Sequence, residues 1–192
     1  ASNSNVTATR GVRVDTTMPA VTLVQPQNIT YNINMSLSVN YTVGDINLQA
    51  CWWAIDGGAN TTITCGQNAS VNVSQGSHTV RVYANDSAGN VNGSSSVTFF
   101  SDSVFPLIDY AGDADASGAN LSRNWIFVNV TVNESNFANI TFRLYNTTSN
   151  VNTTTFTTQT FSLNFTSLSD GLYTFNVTVV DTSGNRNVTA TR

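Results

Sequence analysis

The chain has 192 residues, room for one large domain or two small ones. It carries 28 Thr, 26 Asn and 21 Ser, no Lys and a single Glu, Glu134, an alphabet that excludes helical bundles and coiled coils. The net charge of −4 without basic clusters excludes a nucleic-acid footprint, and no apolar run approaches the ~20 residues of a membrane span. Residues 1–10 also lack the charged start and apolar stretch of a signal peptide, so the sequence reads as a soluble piece of a longer chain.

In chain order, the first feature is a repeat. Asn5-Val6-Thr7-Ala8-Thr9-Arg10 recurs as Asn187-Val188-Thr189-Ala190-Thr191-Arg192, which makes residues 1–14 a linking strand resembling the last strand of a preceding unit. A shorter, diverged repeat follows. Asp15-Thr-Thr-Met-Pro19 matches Asp102-Ser-Val-Phe-Pro106, and Asp86-Ser-Ala-Gly89-Asn90 matches Asp181-Thr-Ser-Gly184-Asn185. Two units result, 15–101 and 102–192, each the size of an immunoglobulin-like sandwich.

Period-2 alternation predicts strand after strand. Ile33, Met35, Leu37, Val39, Tyr41 and Val43 share one face. Trp125 and Phe127 pass to Val128, Val130 and Val132 with a parity change, which predicts a β-bulge at 127–128. Asn139–Leu144 and Tyr173–Val179 alternate too, and the spacers are rich in Gly, Asn, Asp and Ser. Leu168-Ser-Asp170-Gly171-Leu-Tyr173 has the form of a tyrosine corner, with His78 in the matching place of the first unit as a corner residue, not a catalytic one.

Cys51 and Cys65 flank the turn Asp56-Gly57-Gly58, so a disulfide across a hairpin is expected, worth ~3 kcal/mol and implying an oxidising compartment or a thermophile's cytoplasm. Two unpaired thiols are the alternative. Aligning Asn47 with Asn139 places Leu48, Ala50 and Trp52 against Ile140, Phe142 and Leu144 as core positions. Cys51 and Trp53 then lie outward, the bridge is a surface clip, and Arg143 and Tyr145 hold the matching places in the second unit.

The glycosylation pattern Asn-x-Ser/Thr occurs 18 times, well above what random placement of these residues gives. Strand alternation contributes some of these by itself, so the turn sites Asn60, Asn68, Asn92, Asn146 and Asn152 are the candidates for occupancy. Catalytic machinery is not expected: one His sits at a strand start, there is no phosphate loop, and the acidic residues form no paired-carboxylate pattern. No cofactor is expected either. Asp113-Ala-Asp115-Ala-Ser117-Gly118 matches the opening of a calcium loop, a weak metal candidate because Asn124 stands where the bidentate Glu belongs; a solvated acidic loop is the competing reading.

The segments Asp15–Leu23, Ala50–Gly58, His78–Asn90 and Asp170–Asn185 closely resemble tandem immunoglobulin-like repeats of archaeal and bacterial cell-surface proteins. The resemblance implies an all-β array of sandwiches outside the cell, used in stalks, adhesins or fibres. The expected partners are neighbouring copies of the chain, end to end, with strand addition through residues 5–14 as one route, and glycans. The leading expectation is a structural repeat of an extracellular filament; the alternative is an adhesin or carbohydrate-binding module with Trp53 and Tyr145 as its aromatic platform.

Overall fold

The computed structural model describes Asn5 and residues 7–192; the remainder of the expected linking strand lies outside the described residues. The chain divides into two compact units, one made of Asn34–Ser101 with the chain up to Ile29, the other of Asp102–Arg192 with Thr30–Ile33. Each main body is an immunoglobulin-like β-sandwich.

In the first unit, β1 (Ala20–Gln25), β3 (Leu37–Gly44) and β6 (Ala69–Val71) form one sheet in the order β1-β3-β6. The other sheet contains β4 (Leu48–Ile55), β5 (Thr61–Ile63), β7 (Gly76–Asp86) and β9 (Val97–Ser101), in the order β9-β7-β4-β5, with β8 (Val91–Gly93) also on β7, while the short β2 (Thr30–Tyr31) falls in the segment grouped with the second unit. Residues of period 2 close over one another between the sheets: Leu37, Val39 and Tyr41 from β3 meet Cys51, Trp53, Val80, Val82, Ala84 and Phe99, all buried. The strand expected from Ile33 begins later. Ile33 and Met35 are exposed, Ser36 adopts a left-handed φ of 54°, and only from Leu37 does the inward alternation take hold.

The second unit repeats the plan with β10 (Leu107–Tyr110), β11 (Ile126–Asn133) and β14 (Ser162–Phe165) in one sheet. In the other, β12 (Phe137–Tyr145), β13 (Asn150–Phe156), β15 (Thr174–Asp181) and β16 (Arg186–Val188) run in the order β13-β12-β15-β16. Val128, Val130, Ile140, Phe142, Leu144, Phe165, Phe175, Val177 and Val179 make the core. The bulge expected at 127–128 is absent. Ile126, Phe127, Val128 and Asn129 pair with Phe165, Asn164, Leu163 and Ser162 without a shift, and Ile126, not Phe127, joins the core-facing row. Trp125 sits before the strand, beneath the Arg123 guanidinium 3.7 Å from its ring centroid, so it never belonged to the alternation that suggested the bulge.

The expected facing holds in β12, where Ile140, Phe142 and Leu144 are buried, and is reversed in β4. Cys51 is 0% and Trp53 8% exposed, while Leu48, Ala50 and Trp52 are half-buried. Cys51 lies opposite Ala84, two residues before Asp86, and Ile140 lies opposite Val179, two residues before Asp181. Asn47 donates to Asp15, and Asn136 donates to Asp102. The structural partner of Asn47 is therefore Asn136, three residues before the Asn139 chosen from sequence. An odd slip exchanges inside and outside along the whole strand. Ile140 holds the place of Cys51 and Phe142 the place of Trp53. Arg143 and Tyr145 fall elsewhere, and both strands carry a register shift near their start, between Leu48 and Ala50 and between Phe137 and Asn139, that masks the correct frame.

Cys51 and Cys65 form the disulfide, with Cα atoms 5.1 Å apart. The bridge is anchored in the core and is not a surface clip. Cys51 stands opposite Ile63, so Cys65 is reached diagonally past the end of β5. There the Tyr41 hydroxyl accepts from Gly66 N–H (3.1 Å) and donates to Thr64 C=O (3.3 Å), tying the opposite sheet to the same corner. The turn before β5 uses Asp56 and Gly57, with φ of 52° and 68°, the two left-handed positions of a tight hairpin turn.

Candidate functional site

The most repeated geometry in the chain surrounds the residue that opens each unit. In the loop after β7, Asp86 Oδ1 accepts from the N–H groups of Ala88 (2.9 Å) and Asn90 (2.8 Å), and Oδ2 accepts from Asn90 Nδ2 (2.8 Å). Asn90 Nδ2 then reaches across to the carbonyl of Asp15 (3.0 Å). After β15, Asp181 accepts from Ser183 N–H, Asn185 N–H and Asn185 Nδ2, each at 2.8 Å, and Asn185 Nδ2 reaches the carbonyl of Asp102 (2.8 Å). Gly89 (φ 92°) and Gly184 (φ 88°) supply the left-handed residue that turns each loop back on its Asp. Two residues further on, Asn92 Nδ2 donates to Pro19 C=O (2.8 Å) and Asn187 Nδ2 to Pro106 C=O (2.9 Å). The Asp-x-x-x-Pro segment entering each sandwich is thus held at both ends by asparagines of its own unit.

Two of the carboxyl groups, Asp86 and Asp102, are held ionised. Asn90's side-chain amide, with the loop N–H groups, keeps Asp86 below the usual carboxylate range. Burial works against Asp102, yet the Ser183 hydroxyl (2.8 Å) and the Asn136 amide (3.0 Å) on Oδ2 lower its pKa as well. Their ligands are internal donors, so what they do chemically is fix the chain.

The corner residues carry a second correspondence. Tyr173 Oη donates to Ser169 C=O (3.1 Å), and His78 Nε2 bonds Ser74 C=O (2.9 Å), the same residue four positions upstream. His78 Nδ1 meets Asp56 Oδ2 at 2.7 Å. Both partners accept, so the arrangement favours the protonated ring, in which both nitrogens donate. Burial opposes that charge, but Asp56 and the Ser74 carbonyl outweigh it and raise the His78 pKa above its ordinary 6.5.

The other sequence candidates fall in separate places. Asp113 Oδ1 accepts from Asn129 Nδ2 (2.8 Å), and Asp115 binds the Arg123 guanidinium with both oxygens and accepts from Phe127 N–H (2.8 Å). Asp113 and Asp115 are thus engaged by different donors, and among the described residues no group of three or more His, Cys, Asp or Glu could hold a metal ion. Asn60, Asn68, Asn146 and Asn152 are exposed. Asn92 is half-buried, and its amide is engaged on Pro19 and, through Oδ1, on Gly93 N–H, so a glycan on its Nδ2 would compete with the entry clamp. Trp53 lies in the core and cannot form a platform with Tyr145. Sequence alternation missed the pair that does face outward: Trp52 and Tyr83, directly opposite on β4 and β7, stack with centroids 5.8 Å apart and planes 9° from parallel, with Arg81 5.0 Å over Tyr83. Gly93 makes room for them, since a Cβ there would stand 2.8 Å from Tyr83 Cδ1.

In the second unit, a cleft is lined by Leu168, Ser169, Gly171, Tyr173, Phe175 and Arg192 among others. Arg192 closes one side: its guanidinium lies 4.0 Å from the Tyr110 ring centroid and donates to Asp115 C=O (3.1 Å). Tyr110 Oη lies 3.1 Å from Phe175 C=O and 2.9 Å from Ala190 C=O, and Thr189 Oγ1 donates to it (3.0 Å). Burial raises the Tyr110 pKa, so the hydroxyl stays a donor. Among the described residues no helix is long and apolar enough to cross a membrane.

No family model matches the sequence, and no curated protein matches it. Several solved structures align with the chain. The fibronectin(III)-like modules of Clostridium thermocellum CbhA align at 12% identity and TM-score 0.49, covering 88% of this chain and 92% of that one. The chicken CNTN1 FN1–FN3 domains align at 13% identity and TM-score 0.47, covering 94% and 65%. Bacteroides ovatus SGBP-B, solved in complex with a mixed-linkage heptasaccharide, aligns at 13% identity and TM-score 0.35, covering 93% and 47%.

Proposed function

We propose that this chain is a non-enzymatic structural repeat of a fibre or stalk outside the cell, made of immunoglobulin-like sandwiches joined end to end. The observation that carries the reading is the duplicated entry clamp. Asp15 and Asp102 are gripped on their carbonyls by corresponding asparagines of corresponding loops, Asn90 and Asn185, and Pro19 and Pro106 are gripped by Asn92 and Asn187. A device that fixes how the chain enters a domain, copied faithfully between units that otherwise diverge, suits a polymer whose domains must be set at defined angles. Proline at the end of each clamped segment stiffens it further. The disulfide fits an oxidising exterior. Exposed Asn60, Asn68, Asn146 and Asn152 are the positions at which such a surface takes glycans. Self-association runs through residues 5–14, of which Asn5–Arg10 repeats Asn187–Arg192, the segment that begins in edge strand β16.

The test is localisation on the source cells. Gold-labelled antibody raised against the chain decorates extended surface structures at regular intervals if the reading holds; label confined to the cell interior overturns it. Intact mass of the native material above the bare peptide mass is expected from the glycans.

The Trp52–Tyr83 stack favours a second reading, a glycan-binding face on the first unit. Aromatic faces flanked by Arg suit sugar rings and their hydroxyls. Binding on a glycan array that disappears with Trp52→Ala supports this reading, and an array without signal removes it.

A further inference from the structure

In the second sandwich β15 starts three positions later than its counterpart β7 in the first. In the first unit, Ser94 N–H donates to Val82 C=O and Ser94 Oγ accepts from Val82 N–H; Val97 then lies opposite Val80, Phe99 opposite His78 and Ser101 opposite Gly76. In the second, Thr189 makes the same two bonds with Val177, and Arg192 exchanges two backbone bonds with Phe175. Three residues separate Ser94 from Val97 and Thr189 from Arg192, so the positions correspond one to one. Past that pair the two units differ. β7 starts at Gly76, while β15 starts only at Thr174, and the matching Gly171–Tyr173 lie outside the strand with Leu172 70% exposed. The cleft described above runs along this edge.

The sequence contains a segment of the right length and register. Asn5–Arg10 is identical to Asn187–Arg192 and continues as Gly11-Val12-Arg13-Val14 into Asp15. Thr7 precedes Asp15 by the same distance as Ser94 precedes Asp102. Arg10 therefore corresponds to Val97, Val12 to Phe99 and Val14 to Ser101. Thr7–Val14 lie outside any strand in this structure. Val12 and Val14 are 88% and 85% exposed, whereas Phe99 in the equivalent place is 2% exposed. Two branched side chains that suit a strand stand in water at the positions a sandwich would bury or pair.

We propose that the edge at Gly171–Tyr173 is an acceptor for Gly11–Val14 of a second copy of this chain, which adds as an antiparallel strand with Val12 opposite Tyr173 and Val14 opposite Gly171. The proposal rests on the scaffold reading and names its joint. The incoming Asn5–Arg10 takes over the place of the acceptor's Asn187–Arg192. The residues are the same, so every bond made to Pro106, Val177, Tyr110 and Phe175 is remade. Gly11–Val14 then extends the ladder and moves Val12 against Tyr173, as Phe99 lies against His78 with ring centroids 5.7 Å apart. The exchange is close to neutral and the extension is the net gain. Donor and acceptor are different surfaces of one chain, a heterologous contact that propagates into open fibres or rings.

Two measurements on the full 192-residue chain test this. The first mixes a Val12→Cys chain with a Tyr173→Cys chain under mild oxidation; a covalent dimer is expected, and replacing Tyr173→Cys by Leu172→Cys, whose side chain points to the other face, reduces its yield at least tenfold. No dimer, or equal yields, overturns the register. The second uses a Val12→Asp chain, intact at the tyrosine corner, titrated with a fluorescent peptide of residues 5–15. Saturable binding at least tenfold tighter than that of the same peptide carrying Val12→Asp is expected; equal or absent binding overturns the acceptor. Surface fibres without these signatures retain the scaffold and refute this joint, whereas peptide binding by a chain found only inside cells does the reverse.

Discussion

Asn185 holds two elements with one amide. Its Nδ2 reaches Asp181 Oδ2 and Asp102 C=O, and the residue is 1% exposed. Removing the amide strands a buried carboxylate oxygen and a carbonyl, each costing about 1–3 kcal/mol when left without a partner. Asn185→Ala is expected to lower the unfolding free energy of the second unit by about 2 kcal/mol or more in chemical denaturation, while Thr182→Ala, exposed in the same loop, leaves it unchanged. The His78–Asp56 pair makes a pH-dependent contribution. The folded His78 pKa lies above its unfolded value, so its contribution is full below about 6.5 and is lost as pH rises through the folded pKa. Asp56 is the opposite case: burial opposes ionisation, but the hydrogen bonds from His78 and Thr79 N–H lower its pKa, and its contribution fades as pH falls through that lowered value. The melting temperature of the first unit should thus fall on both flanks. His78→Tyr, which recreates the second unit's Tyr173 corner, should abolish the alkaline decline; a decline that persists in the variant refutes the pairing.

At the scale of elements, the core-anchored disulfide predicts that the two sandwiches respond differently to reduction. Closing a loop with a sequence separation of 14 stabilises by about 3 kcal/mol, and only the first unit contains it. Calorimetry with a reductant should lower one transition and leave the other in place; a joint shift of both contradicts the assignment. This same strand shows where sequence reasoning succeeds and fails. Alternation located β12 with its inward face, and the two cysteines around Asp56-Gly57-Gly58 located β4, because both signals rest on local spacing. Which face of β4 is inward depends on the frame, and both strands start with a register shift that sequence spacing does not display. Asn47 could be matched to Asn136 or Asn139 by composition alone; only the hydrogen bonds to Asp15 and Asp102 decide between them. The disulfide hairpin and the Tyr173 corner were legible because each rests on local spacing. The Trp52–Tyr83 stack was not, because it needs the cross-strand register.

For the whole molecule, the duplicated Asp-x-x-x-Pro and Asp-x-x-Gly-Asn motifs proved to be two halves of one clamp, a relation that sequence shows as two unconnected repeats. Their contact joins residues 75 and 83 positions apart, which no local pattern carries. The central claim is that these clamped sandwiches are the repeating element of an extracellular fibre. Electron cryomicroscopy of the native surface assembly tests it most directly. The account expects a filament with an axial repeat of two sandwich lengths and a β-strand density crossing each joint beside Tyr173. Isolated particles of one chain, or a filament whose repeat does not divide into sandwich pairs, would contradict it.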